Sequence, residues 1–170
     1  MIRNIVLGVI GGLLVGYIGI SIIDNIFIKK EAIYCLEQRK GKNSTGDCRI
    51  VNTQAGYINS KDSNVTIVVY NQGNGNPDHV VAIKNDIVID YTSKLNGIIY
   101  NDLKEKMKKH KACIVYQATI LNNQIVESNK NLSCSFFSAF GYAHYFSKVI
   151  QYKNENKNAL QNGSCSKIVE

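Results

Sequence analysis

Cys48, His79 and Asp90 follow one another in a chain of 170 residues that holds only three histidines, and each sits in a local pattern suited to nucleophilic chemistry. A deprotonated thiol attacks carbonyl carbon, an imidazole takes the thiol proton and returns it to a leaving group, and a carboxylate holds that ring in one tautomer and orientation. Gly46-Asp47-Cys48 opens a predicted helix: Asp47 is a good N-cap, and Val51, Ala55 and Ile58 recur on one apolar stripe behind it. Gly56 weakens that helix by about 1 kcal/mol relative to alanine. The positive end of a helix favours a thiolate at its first turn, an effect that Asp47 opposes. The free backbone N–H of Cys48 is the natural oxyanion donor, and Gln38 is the nearest upstream amide for a second.

The other two residues depend on a hairpin. His79 to Lys84 and Ile87 to Thr92 flank Asn85-Asp86, which reads as a two-residue turn. In that register Lys84 faces Ile87, Val81 faces Asp90 and His79 faces Thr92. Asp90 becomes the diagonal neighbour of His79 on one face, about 7 to 8 Å away between backbones, a gap that the two side chains close. Val80, Ala82, Ile89 and Tyr91 fall on the opposite face, so the ribbon is expected to bury one side and present the pair on the other. A three-residue turn would put Asp90 on the wrong face.

Gly46-Asp47-Cys48 before a helix, then a strand, then His79-Val-Val-Ala-Ile and Ile89-Asp90-Tyr91-Thr92, resembles the catalytic core of the transglutaminase-like superfamily of papain-fold cysteine hydrolases over residues 46–93. The resemblance implies an α+β, papain-like domain with a cysteine-bearing helix on an antiparallel sheet, with Cys48 as nucleophile, His79 as base and Asp90 as its orienter. The aromatic residue usual shortly after that family's histidine is absent. The chain also resembles, less well, the papain-fold peptidases that process bacteriocin leaders. A permuted arrangement uses Asn131-Leu132-Ser133-Cys134 instead, as in papain-like lipid acyltransferases. His144 is no partner for Cys134 along one helix, because ten residues span about 15 Å.

The elements that must position these residues fit one domain. Val65 to Tyr70 reads as a strand, Asn71 to Asp78 as a loop, Asn101 to Lys109 as a helix, and Ala112 to Ile120 as a strand partnered by Gln124 to Glu127. Ser135 to Ile150 reads as a second helix, and the polar residues from Gln151 onward as a tail. Ahead of the domain, Ile5 to Ile23 carries no charge and as a helix rises roughly 29 Å, matching a hydrocarbon core of about 30 Å. The expected organisation is therefore a transmembrane anchor at 1–30, the papain-like domain at 31–152 and a tail at 153–170. Gly8, Gly12 and Gly16 form a stripe that suits homo-oligomer contact. Gly19-Ile20-Ser21 also offers a signal-peptidase pattern, although the apolar run continues through Ile22 and Ile23.

A net charge of +7 favours acidic surfaces. Its densest cluster, Lys104, Lys106, Lys108, Lys109 and Lys111, reads as a solvated helix face, with anionic lipid headgroups as the next candidate; nucleic acid is not implied, since no aromatic-basic motif accompanies it. Cys35, Cys48, Cys113, Cys134 and Cys165 lack metal-ligand spacing, and no glycine loop of phosphate-binding type occurs, so neither metal nor other cofactor is expected. The basic residues at Lys29, Lys30, Arg39, Lys40 and Lys42 favour a cytoplasmic domain. An odd cysteine count fits a reducing compartment, and equally two disulfides plus one reactive thiol on the outer face. The function expected is a membrane-anchored cysteine hydrolase or acyltransferase acting on an amide or peptide bond through a thioester. The alternatives are an envelope or assembly protein that binds a partner through the same fold, and a permuted lipid acyltransferase using Cys134.

Overall fold

Two asparagine-led turns lay out the sheet. Asn85 and Asp86 have φ of 51° and 60°, and Asn122 and Asn123 have φ of 50° and 61°. These short polar side chains tolerate the left-handed region, and two such residues in succession make the tight turn that matches strand twist. The structure, a computed structural model, describes residues 26–29, 32, 48–73 and 78–155. The apolar segment Ile5–Ile23 with Gly8, Gly12 and Gly16, the residues Gln38 and Asp47, and the chain beyond residue 155 lie outside the described residues. No helix among those described is long and apolar enough to cross a membrane.

The class is α+β. Helix α1 (Cys48–Asn59) is followed by β1 (Val65–Asn71), β2 (Asp78–Lys84), β3 (Ile87–Ile89), α2 (Tyr100–Lys109), β4 (Cys113–Leu121), β5 (Gln124–Lys130) and α3 (Phe136–Glu155). The strands form one sheet in the order β3-β2-β1-β4-β5, and every pair is antiparallel. Alternation along β1 sends Val65, Ile67 and Val69 into a core shared with Tyr57 of α1 and Phe146 and Val149 of α3. Val68 and Tyr70 go to the other side, where Leu103 and Met107 of α2 cover them. All five lysines of the α2 cluster are exposed, which is the solvated helix face expected of them.

Three expectations need correction. The hairpin does not leave one face open, because Val81, Ile83 and Val88 are buried under α2. Tyr91, expected on the buried face with Val80, Ala82 and Ile89, is 42% exposed, since the strand stops at Ile89. The residues after Gln151 are not a loose tail at their start: α3 runs to Glu155, and Lys153 is buried. Its ammonium donates to the Ala32 carbonyl at 2.7 Å and to Gln54 Oε1, and burial pulls its pKa down to about 7. A polar stretch can thus hold an inward-facing lysine that donates to two carbonyl oxygens and lies 5.2 Å from the Tyr57 ring centroid.

Gly56 has a packing role that helix propensity alone conceals. A Cβ at that position would stand 2.2 Å from Ile67 Cδ1 and 3.3 Å from its Cγ1, so any larger residue must push the end of the Ile67 side chain aside within the α1–β1 contact. Gly56→Val is expected to lower stability by about 1 to 3 kcal/mol through overpacking. The check is a denaturant midpoint, and an unchanged midpoint would contradict this close approach.

Candidate active site

The hairpin register holds as far as β3 extends. Lys84 pairs with Ile87, Ile83 with Val88 and Ala82 with Ile89, and the next step of the same register puts Asp90 opposite Val81. There the chain leaves the sheet. Asp90 turns back on itself, with Oδ1 accepting from the Thr92 N–H at 3.0 Å and from Thr92 Oγ1 at 2.8 Å. Oδ2 accepts from Ser93 Oγ at 2.5 Å and meets His79 Nε2 at 2.7 Å. Asp90 itself is fully buried, while the His79 side chain keeps 12% exposure, so the carboxylate faces no water and the ring retains an edge toward solvent.

Cys48 heads α1, and its side chain is hydrogen-bonded to His79. Because Nε2 of the ring is engaged by Asp90, Nδ1 is the nitrogen that serves the sulfur. The three residues picked from the sequence are therefore brought together as a relay of thiol, imidazole and carboxylate. Cys134 is not available for such a role, since it forms a disulfide with Cys113; Cys48 is the free thiol among the described residues. His110 and His144 are both exposed. No group of His, Cys, Asp and Glu side chains among the described residues could hold a metal ion.

The electrostatics follow from burial and pairing. Burial pushes the Cys48 thiol up, but the hydrogen bond to His79, the Val80 backbone N–H and the charge of His79 outweigh it and bring the pKa below its ordinary value. Burial lowers His79, yet its hydrogen bonds to Asp90 and Cys48 and the charges of both raise it to about 9. Burial raises Asp90, and the hydrogen bond from His79, with help from Ser93, the charge of His79 and Thr92, overcomes that and holds the carboxyl well below the usual carboxylate range. All three shifts run in the direction that favours thiolate, imidazolium and carboxylate over their uncharged forms. Tyr70 stands edge-on to the His79 ring, with centroids 5.6 Å apart, and closes it off from one side.

Sequence reasoning missed two flanking contributions. Asn52, fully buried one turn after Cys48, donates to Asp90 Oδ1 at 2.8 Å and to the Val80 carbonyl at 2.7 Å, and accepts from the Tyr91 N–H at 3.0 Å. Its signal was a polar residue four positions after the candidate nucleophile, on the same helix face. Tyr142 of α3 hydrogen-bonds Asp78 beside the site, and burial, together with the charges of Asp78 and Cys48, pushes it up to about 12 against the opposing charge of Arg49. Arg49 lies over the ring of Tyr145, 4.6 Å from its centroid. No protein-family model matches the chain, and no curated protein or solved structure was found to be similar to it.

The pair also sets a pH dependence of stability. His79 rises from 6.5 to about 9 on folding, so its contribution is fully present below pH 6.5 and is lost as the pH climbs through about 9. Asp90 moves the other way, so its contribution is present above pH 3.8 and is lost on acidification. Unfolding measured across pH 6 to 10 is expected to give a slope above about pH 6.5 that is more negative in the wild type than in His79→Ala, the rise contributed by Lys153 being common to both proteins. Equal slopes in the two proteins would contradict the pairing.

Proposed function

We propose that this protein is a cysteine hydrolase or acyltransferase of papain-like, transglutaminase-like type, acting on an amide or peptide bond. The observation that carries the reading is the buried Asp90–His79 contact with Cys48 at its open end, an arrangement of perturbed groups suited to nucleophilic catalysis. In the proposed cycle the Cys48 thiolate attacks the carbonyl carbon, and the oxyanion is stabilised by the backbone N–H of Cys48 at the helix start. The His79 imidazolium protonates the departing amine as the C–N bond breaks, leaving a thioester on Cys48. Neutral His79 then takes a proton from water, or from an acceptor amine, as that nucleophile attacks the thioester and expels the thiolate. Asp90 keeps the ring oriented throughout.

The proposal places the domain beside a membrane on the anchor expected at Ile5–Ile23, with the glycine stripe available for self-association. The Cys113–Cys134 disulfide supports the outer, oxidising side of that membrane over the cytoplasmic side favoured by counting basic residues. A partner-binding domain on the same anchor is the second reading, and the exposed cluster of Phe136, Phe137 and Phe140 favours it. That reading leaves the buried carboxylate and imidazole without a purpose.

An electrophilic thiol probe applied to the full chain is expected to label Cys48 selectively, and His79→Ala to reduce labelling by tenfold or more at neutral pH. With a peptide library and a fluorescent amine, intact-mass analysis should find an acyl group on Cys48 that is absent from Cys48→Ala. Slow, His79-independent labelling with no acyl adduct would favour the binding domain.

A further inference from the structure

Opposed residues of an antiparallel pair alternate between positions that exchange backbone hydrogen bonds and positions that do not. A two-residue turn closes on a bonded pair, here Lys84–Ile87, so Ala82–Ile89 and then Val80–Tyr91 are the next bonded positions of the β2–β3 register. An unbroken ladder would carry a bond from the Tyr91 N–H to the Val80 carbonyl, and one from the Val80 N–H to the Tyr91 carbonyl. Instead the Tyr91 N–H donates to Asn52 Oδ1 at 3.0 Å, and Asn52 Nδ2 donates to the Val80 carbonyl at 2.7 Å. One side-chain amide stands in series between the two atoms that the rung would have joined.

We propose that Asn52 is a positioning residue whose amide replaces this rung, and by wedging the strands apart it delivers the Val80 N–H to Cys48 and the Asp90 carboxylate to His79. Both deliveries are visible. The Val80 N–H hydrogen-bonds the Cys48 sulfur, and the remaining proton of Asn52 Nδ2 goes to Asp90 Oδ1 at 2.8 Å. Every polar atom of the buried amide is thereby used, with Thr92 Oγ1 a longer contact at 3.4 Å. Asn52 also rides on the helix that carries Cys48, so one side chain ties the elements bearing nucleophile, base and orienter into one unit. The charged groups of the cluster are Cys48, His79 and Asp90, with Asp78 and Arg49 acting on the neighbouring Tyr142 hydroxyl; Asn52 is the neutral member among them.

The inference rests on the thiol chemistry proposed above, and its test needs no substrate. The rate of Cys48 alkylation by iodoacetamide is to be followed against pH in the full chain and in Asn52→Ala. The wild type should react through a thiolate formed at lower pH than that of an ordinary thiol, and Asn52→Ala should lose at least tenfold in rate at pH 7 with its profile moved toward an ordinary thiol. Unchanged profiles in a folded Asn52→Ala with its disulfide intact would overturn the wedge while leaving the cysteine-enzyme reading standing. If Asn52→Ala does not fold, the wild type decides by NMR: slow solvent exchange of the Tyr91 amide and the Asn52 side-chain protons supports the replaced rung, and fast exchange of both overturns it. Failure of the enzyme reading looks different, namely a reactive Cys48 that never carries an acyl group.

Discussion

A carboxylate with no access to water is the constraint around which the candidate site is built. Burying a lone charge costs several kcal/mol even after the protein relaxes, so Asp90 is tolerable only while its oxygens are saturated. It receives the Asn52 amide, the Thr92 N–H and hydroxyl, the Ser93 hydroxyl and the His79 ring. Each donor fixes something else. The two from Thr92 end β3, the one from Asn52 sets the seat of α1, and the one from His79 holds the ring protonated with its other nitrogen toward Cys48. The thiolate is then favoured by a cation a hydrogen bond away, in spite of the burial that opposes it.

The surrounding fold keeps that arrangement from relaxing. Beyond the turn at Asp90, the Asn96 side chain accepts the Asp90 N–H, and the chain returns to the outer edge of β3 through Gly97 N–H to the Val88 carbonyl and Val88 N–H to the Ile98 carbonyl. Gly97 has φ of +85°, a conformation that suits glycine at this return. On the inner side, the absence of a side chain at Gly56 lets α1 sit close enough for Asn52 to reach β2. The Cys113–Cys134 bridge ties the start of β4 to the loop entering α3, the helix that brings Tyr142 beside Asp78.

Much of this was legible in the sequence where the signal was local. The Asn85-Asp86 turn set the register and with it the diagonal approach of His79 and Asp90. The lysines of the Asn101 to Lys109 segment marked the outward face of α2. The order of Cys48, His79 and Asp90 named the cluster. What escaped depended on tertiary contact. Asn52 looks like an ordinary polar helix residue until the strand break beside it is known, and the end of β3 at Ile89 reflects side-chain hydrogen bonds rather than strand propensity. Two-sided burial of the hairpin required knowing that α2 folds over it. Lys153 read as part of a tail because its partners, Ala32 and Gln54, are remote in the chain.

The central claim is that Asp90 and Cys48 together keep the His79 ring protonated, and the ring nitrogens report this directly. In a 15N NMR titration of imidazole-labelled protein, His79 is expected to remain an imidazolium through neutral pH and to lose its proton near pH 9. A ring that titrates near 6.5, as an isolated histidine does, would contradict the account.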